Sequence, residues 1–217
     1  MSKDLPRLHF ITQDVYGIDH PKLAREACKG YIDLIQLRIK NKGIREIKTL
    51  AKKTFEIADM YNVKLIINDH VDLAAEIGAH GVHLGKHDMH PLKAREILGD
   101  EVIIGGTADS FEMIKELYGI VDYIGLGPYR FTHTKSGLSP VLGLQGYKTI
   151  IKKCRNEKLD IPIIGVGGIN INDIEPIMQT GLYGVAVSSA LAQSDFIAFL
   201  AEDFTNEVNR VAQKIYH

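Results

Sequence analysis

Residues 122–135 read DYIGLGPYRFTHTK, and this stretch sets the pattern for the whole chain. A short apolar run (Tyr123, Ile124, Leu126) breaks at Gly127-Pro128 and opens into a loop carrying Thr132, His133, Thr134 and Lys135. An apolar run of this length flanked by glycine and proline reads as a buried strand. Hydroxyls and an ammonium at its end form a grip suited to a phosphoryl group.

Working outward, the same unit recurs. Apolar runs at 8–12 (LHFIT), 33–37 (DLIQL), 63–67 (VKLII), 81–84 (GVHL), 102–104, 162–166 (PIIGV) and 184–187 (GVAV) join the run at 123–126. Helical patterns follow at 21–29, 44–60, 71–77, 91–98, 110–118, 143–154 and 171–179, and a long final helix is expected within 195–215. Runs apolar on both faces suit parallel strands covered by helices, and strict β/α alternation implies a parallel sheet. Eight units in 217 residues favour closure into a single (β/α)8 TIM barrel over an open doubly wound sheet. With no linker or low-complexity segment, 1–217 reads as one domain.

Composition narrows the class further. The hydrophobic fraction of 45% and charged fraction of 24% are ordinary for a globular protein, and a net charge of −1 gives no case for nucleic acid or an anionic membrane. Two distant cysteines, Cys28 and Cys154, form no CxxC pair or disulfide framework, so a reducing cytoplasm is expected. No apolar run approaches the roughly 18–20 residues of a membrane span, and the N-terminus has no secretory pattern.

In such barrels chemistry collects at the C-terminal ends of the strands. Those positions hold Gln36, Arg38, Lys40, Asn68, Asp69, His83, Asp88, Thr107, Thr132, Thr134, Lys135, Gly168, Ser188 and Ser189. Gly167-Gly168 and Ser188-Ser189 follow strands seven and eight, the usual phosphate site of the fold; the plain alternative is turn glycines and capping serines. Arg38 and Lys40 are two apart, so on an extended strand they point the same way and can clamp a diphosphate. Asp69 and Asp88 suit octahedral Mg²⁺ beside phosphate, or else each caps the helix after it. His80, His83, His87 and His90 invite a zinc reading, but Gly81 and Gly85 break any helix that would align them, and His83 reads better as a strand-end polar contact. Tyr129 and Phe131 offer an aromatic wall for a heterocycle, or simple packing.

Taken together, QLRIK (36–40), NDHVDLA (68–74), GVHLGKHD (81–88), DYIGLGPYRFTHTK (122–135), IGVGGI (164–169) and GVAVSSA (184–190) resemble the thiamine-phosphate synthase (thiamine-phosphate pyrophosphorylase) family over nearly the full length. The resemblance implies a Mg²⁺-dependent transferase joining hydroxymethylpyrimidine diphosphate to a thiazole phosphate, with diphosphate released. By that resemblance Gln36, Leu37, Arg38, Ile39, Lys40, Asn68, Thr107 and Lys135 hold the pyrimidine diphosphate, and Asp69 and Asp88 hold the metal. Thr132, His133, Thr134, Gly168, Ser188 and Ser189 hold the thiazole phosphate, and Arg38, Lys40 and Lys135 stabilise the leaving group. A homo-oligomer stays open.

The chain departs from the family pattern in four places. Ile39 stands where Glu is usual, Lys86 where Gln is usual, Thr107-Ala108-Asp109 replaces a Ser-x-His segment, and Ser188 replaces an aliphatic residue. Two other readings remain. One is the thiazole tautomerase branch, with His133 as acid/base, although position 128 is Pro and the diphosphate equipment is retained. The other is a non-catalytic sensor of thiamine phosphate.

Overall fold

The computed structural model describes residues 4–131 and 140–216. Eight parallel strands, β1 (Leu8–Ile11), β2 (Leu34–Leu37), β3 (Lys64–Asn68), β4 (Gly81–Leu84), β5 (Ile103–Ala108), β6 (Tyr123–Leu126), β7 (Ile163–Val166) and β8 (Gly184–Val187), pair in sequence order. β8 pairs back onto β1, which closes the barrel. Closure of the ring was the expectation from eight repeated units.

Alternation along each strand separates two cores. Leu34, Ile66, Ile103, Tyr123, Ile164 and Ala186 pack together as one cluster. Their neighbours Ile35, Leu37, Leu65, Ile67, Val82, Ile104, Ile124 and Val185 belong to a second, larger cluster shared with the helices. Successive strand side chains point to opposite faces, so the first cluster fills the barrel and the second lies under the helices. This double burial is why the strands read as continuous apolar runs.

The helices are α1 (His20–Lys29), α2 (Ile44–Met60), α3 (Val71–Ile77), α4 (Pro91–Leu98), α5 (Phe111–Leu117), α6 (Gly143–Asn156), α7 (Ile174–Met178), α8 (Ser189–Ala192) and α9 (Ile197–Tyr216). A 3-10 turn (Ile171–Asp173) leads into α7. None of these helices is long and apolar enough to cross a membrane. Local chemistry sets their starts: the Asp19 side chain accepts from the Lys22 N–H at 2.9 Å, with Pro21 in the first turn. The expected long final helix is α9, and α8 adds one short turn between it and β8.

β5 also runs further than its apolar letters suggest. Gly105, Gly106 and Thr107 belong to the strand rather than to a turn. Gly105 sits opposite Tyr123 in the β5–β6 register, and a Cβ there would fall 2.2 Å from Tyr123 Cζ. A Cβ at Gly106 would meet Leu117 at 3.0 Å on the outer face. These glycines make room for neighbours on both faces, a role that composition alone confuses with chain punctuation.

Beyond β6 and β7 the chains remain tied. Tyr129 N–H donates to the Val166 carbonyl at 2.8 Å, and Arg130 N–H donates to Gly167 at 3.0 Å. The Arg130 guanidinium reaches both carboxylate oxygens of buried Asp173 and the Gly168 carbonyl at 2.9 Å, and lies 4.6 Å from the Tyr129 ring centre. Asp173 also accepts from the Asn170 N–H at 2.9 Å, closing a capping box. Burial alone would raise the Asp173 carboxyl, but the hydrogen bonds from Arg130 and the Asn170 N–H hold it below the usual aspartate range.

Two stability outcomes follow from these contacts. Gly105→Ala should lower the urea unfolding free energy by about 2 kcal/mol, because the added methyl meets a ring buried on all sides; an unchanged midpoint would mean the ring can move aside. Asp173→Ala should cost about 2 kcal/mol at neutral pH by removing the carboxylate partner of Arg130 and the acceptor of the Asn170 N–H. A carboxyl lowered on folding stabilises fully above its unfolded value of about 3.9, and that contribution fades as pH falls through the lowered folded value. The wild-type advantage over Asp173→Ala should therefore vanish in strong acid; an advantage that persists there would contradict the pairing.

Candidate active site

The inward positions near the C-terminal ends of the strands change from apolar to polar. Gln36 and Asn68 are buried, and the Gln36 amide donates to the Asn68 side-chain oxygen at 2.8 Å. His83 Nδ1 lies 2.9 Å from the Tyr123 hydroxyl and its Nε2 lies 2.9 Å from the Thr107 hydroxyl. A layer of hydrogen-bonded side chains therefore lies above the apolar filling of the barrel, and it holds Asn68 and Thr107 in fixed orientations.

Charge gathers just beyond this layer. Asp69, directly after β3, adopts φ +68°, a left-handed conformation uncommon for residues other than glycine and one that recurs at functional sites. Its N–H donates to the His83 carbonyl at 2.9 Å, and its carboxylate accepts from Lys40 Nζ at 2.5 Å. Asp88 Oδ2 accepts from the Gly85 N–H at 2.7 Å. Neither aspartate caps the helix that follows it: α3 has no side-chain cap, and His90 accepts from Leu92 N–H at the start of α4.

The two carboxyls act on each other, and their acidities diverge. Burial pulls Asp69 upward, but hydrogen bonds from Lys40 and Asp88 outweigh it and hold Asp69 below the usual range. Burial and the hydrogen bond with Asp69 push Asp88 upward, partly offset by the Gly85 N–H. Of the two, Asp88 is therefore the one that takes up a proton first as pH falls. Two interacting carboxyls from the neighbouring ends of β3 and β4 fit a hard divalent cation. Mg²⁺ takes one or two carboxylates with phosphate oxygens and waters.

Arg38 and Lys40 face this pair. Lys40 is exposed and bound to Asp69. Arg38 is partly buried; desolvation disfavours its charge, while Asp69 and Asp14 favour it. It remains a cation, held in reduced contact with water, where an incoming anion gains most. Leu37 and Ile39 are placed differently, since both side chains sit in the core beneath the helices. Any ligand contact from these two must come from their backbones.

The second group of residues lies at the ends of β7 and β8. Gly167 and Gly168 have φ +99° and +68°, conformations that favour glycine, and Gly168 is exposed. Ser188 and Ser189 are half-buried; Ser188 Oγ donates to Gln13 Oε1 at 3.2 Å, and Ser189 opens α8. Thr132, His133, Thr134 and Lys135 lie outside the described residues. Lys86 is exposed. Tyr129 is buried and stacked on Tyr147 at 5.7 Å, so it packs within the fold, and Phe131 is exposed.

The histidines of the GVHLGKHD region part company. His80 accepts from the Leu65 N–H at 3.1 Å, His83 points into the barrel and His90 caps α4. Among the described residues no group of three or more His, Cys, Asp or Glu is arranged to hold a metal. Sequence reading passed over Arg130, Asp173, Thr12 and His20. The Thr12–His20, Thr12–Arg38 and Arg130–Asp173 pairs are 8, 26 and 43 residues apart, so no local pattern marks them.

Comparison with known proteins adds to this geometry. Residues 8–191 match the family described as thiamine monophosphate synthase. A thiamine-phosphate synthase of Flavobacterium johnsoniae is 43% identical over 190 residues, covering 87% of this chain and 90% of that protein. One from Phocaeicola vulgatus is 44% identical over 188 residues, covering 86% and 90%. The solved thiamine phosphate pyrophosphorylase from Pyrococcus furiosus superposes with a TM-score of 0.83 at 32% identity, covering 94% of this chain and 96% of that one. A closed eight-stranded barrel, polar strand ends and relatives matched over most of their length lead to one conclusion: this chain belongs to the thiamine monophosphate synthase family.

Proposed function

We propose that this protein is a transferase that condenses 4-amino-2-methyl-5-hydroxymethylpyrimidine diphosphate with a thiazole phosphate, giving thiamine phosphate and diphosphate. The observation that carries the reading is the junction of Lys40, Asp69, Asp88 and the partly buried Arg38 at the exits of β2, β3 and β4. A diphosphate leaving group needs cations and a metal there; a sensor or a tautomerase needs neither. The similarity to thiamine-phosphate synthases over most of the chain supports the same choice.

In this reading Asp69 and Asp88 hold Mg²⁺, which when bound neutralises charge building on the departing diphosphate. Arg38 grips the diphosphate with two N–H donors, and Lys40 acts as a mobile point charge, exchanging Asp69 for phosphate oxygen. Gln36, Asn68 and Thr107 orient the pyrimidine diphosphate through donors and acceptors already fixed by their own hydrogen bonds. Lys135 completes the clamp.

Gly168, Ser188 and Ser189, with Thr132, His133 and Thr134, hold the thiazole phosphate so that its ring nitrogen faces the pyrimidine methylene. Loss of diphosphate leaves a resonance-stabilised cation that this nitrogen captures. No protein nucleophile takes part; positioning and electrostatics supply the rate. We place the protein in the cytoplasm as a single domain over 1–217. Its two cysteines, both buried and free, fit a reducing compartment.

Mixing both substrates should release diphosphate only with Mg²⁺ present. Isomerisation of the thiazole without diphosphate release would instead indicate a tautomerase, and binding without turnover a sensor. Asp88→Asn should lower kcat at saturating Mg²⁺ by about a hundredfold or more while the fold persists. Wild-type turnover in that variant at limiting Mg²⁺ would remove Asp88 from the metal site. Because a proton on Asp88 competes with the cation, apparent Mg²⁺ affinity should weaken as pH falls through the raised value of Asp88. A flat dependence from neutral pH to mild acid would count against the assignment.

A further inference from the structure

One chain of hydrogen-bonded polar groups, buried at Thr12 and His20, lies outside the proposed ligand-contacting set yet ends on it. Thr12, just beyond β1, is fully buried, and its N–H donates to the Gln36 carbonyl at 2.9 Å. The next rung toward β2 is made by a side chain: Thr12 Oγ1 accepts from the Arg38 N–H at 3.1 Å. The same hydroxyl lies 2.8 Å from Nδ1 of His20, which is 2% exposed, and His20 Nε2 lies 3.1 Å from Asp14 Oδ1. Asp14 Oδ2 accepts from the Asn41 side-chain amide at 3.3 Å.

The direction of this chain follows from valence. A carboxylate only accepts, so the proton of the imidazole sits on Nε2. Burial holds His20 below its ordinary value against the pull of Asp14, which keeps the ring neutral and leaves Nδ1 bare. Nδ1 therefore accepts the Thr12 hydroxyl proton, and the hydroxyl's lone pairs face the Arg38 N–H. Among the described residues no buried side-chain polar atom lacks a partner. The chain begins at the backbone of residue 38 and returns at the side chain of residue 41, so it brackets the short segment that carries both Arg38 and Lys40.

We propose that Thr12, His20 and Asp14 are positioning residues that hold the segment 38–41 in the geometry its two cations need to grip a diphosphate. The inference rests on the clamp role given to Arg38 above. None of the three residues is required to touch substrate. They act by fixing the backbone from which Arg38 and Lys40 project. A displacement of the order of an ångström at such a site weakens the productive complex by about tenfold or more.

The test is steady-state kinetics on the full chain with Thr12→Val, Thr12→Ser, Asp14→Ala and Arg38→Ala, each paired with a thermal midpoint. Thr12→Val keeps the shape of the side chain and removes the hydroxyl. It should raise KM for the pyrimidine diphosphate by about tenfold and leave KM for the thiazole phosphate within about twofold. Thr12→Ser should restore most of the loss. Asp14→Ala, at the exposed end of the chain, should give the same selective rise, smaller in size, and serves if Thr12→Val does not fold. Equal changes in both KM values, or none, while Arg38→Ala still raises KM for the pyrimidine diphosphate, would overturn the positioning role alone. No effect of Arg38→Ala would overturn the clamp together with it.

Discussion

Two carboxyls that act on each other resist carrying full negative charge together, and Asp69 and Asp88 stand in that relation at the mouth of the barrel. Asp69 and Asp88 arrive from neighbouring strands, one in a left-handed backbone conformation and the other held by the Gly85 N–H. Their acidities diverge in consequence, Asp69 falling and Asp88 rising. Lys40 offsets part of the charge on Asp69. In the proposed function a divalent cation between the two carboxyls would relieve the same conflict.

The barrel supports this arrangement by layering. Tyr123, Ile66 and Leu34 fill the interior with apolar bulk, and Gln36, Asn68, His83 and Thr107 lie above it in a hydrogen-bonded layer. The polar layer converts a packed core into a floor of oriented donors and acceptors. Around its rim two devices fix the loops. The Arg130–Asp173 pair ties the exits of β6 and β7 beside Gly168, and the Thr12–His20–Asp14 chain ties the exits of β1 and β2 beside Arg38. Each of the two proposed phosphate grips therefore lies beside its own brace.

Much of this was legible in the sequence because barrel strands are buried on both faces, so each appears as an apolar run ended by polar residues. The eight units, and the gathering of Arg38, Lys40, Asp69 and Asp88, follow from that grammar. The end of β5 did not, because Gly105 and Gly106 make room for Tyr123 and Leu117 while looking like a turn. The resemblance placed Leu37 and Ile39 in the candidate site as well, although strand alternation turns their side chains into the core. Arg130 and Asp173, 43 residues apart, and Thr12 and Arg38, 26 apart, become partners only when the ring closes. Pairings of this kind carry no local signature.

The central claim is that one barrel mouth grips a diphosphate through a metal held by Asp69 and Asp88 together with the cations of β2. Calorimetric titration of the wild-type protein with inorganic diphosphate, with and without Mg²⁺, measures it without any turnover. The account predicts that Mg²⁺ tightens diphosphate binding by about tenfold or more, while binding of inorganic phosphate responds far less. Diphosphate affinity that is the same with and without Mg²⁺ would contradict it.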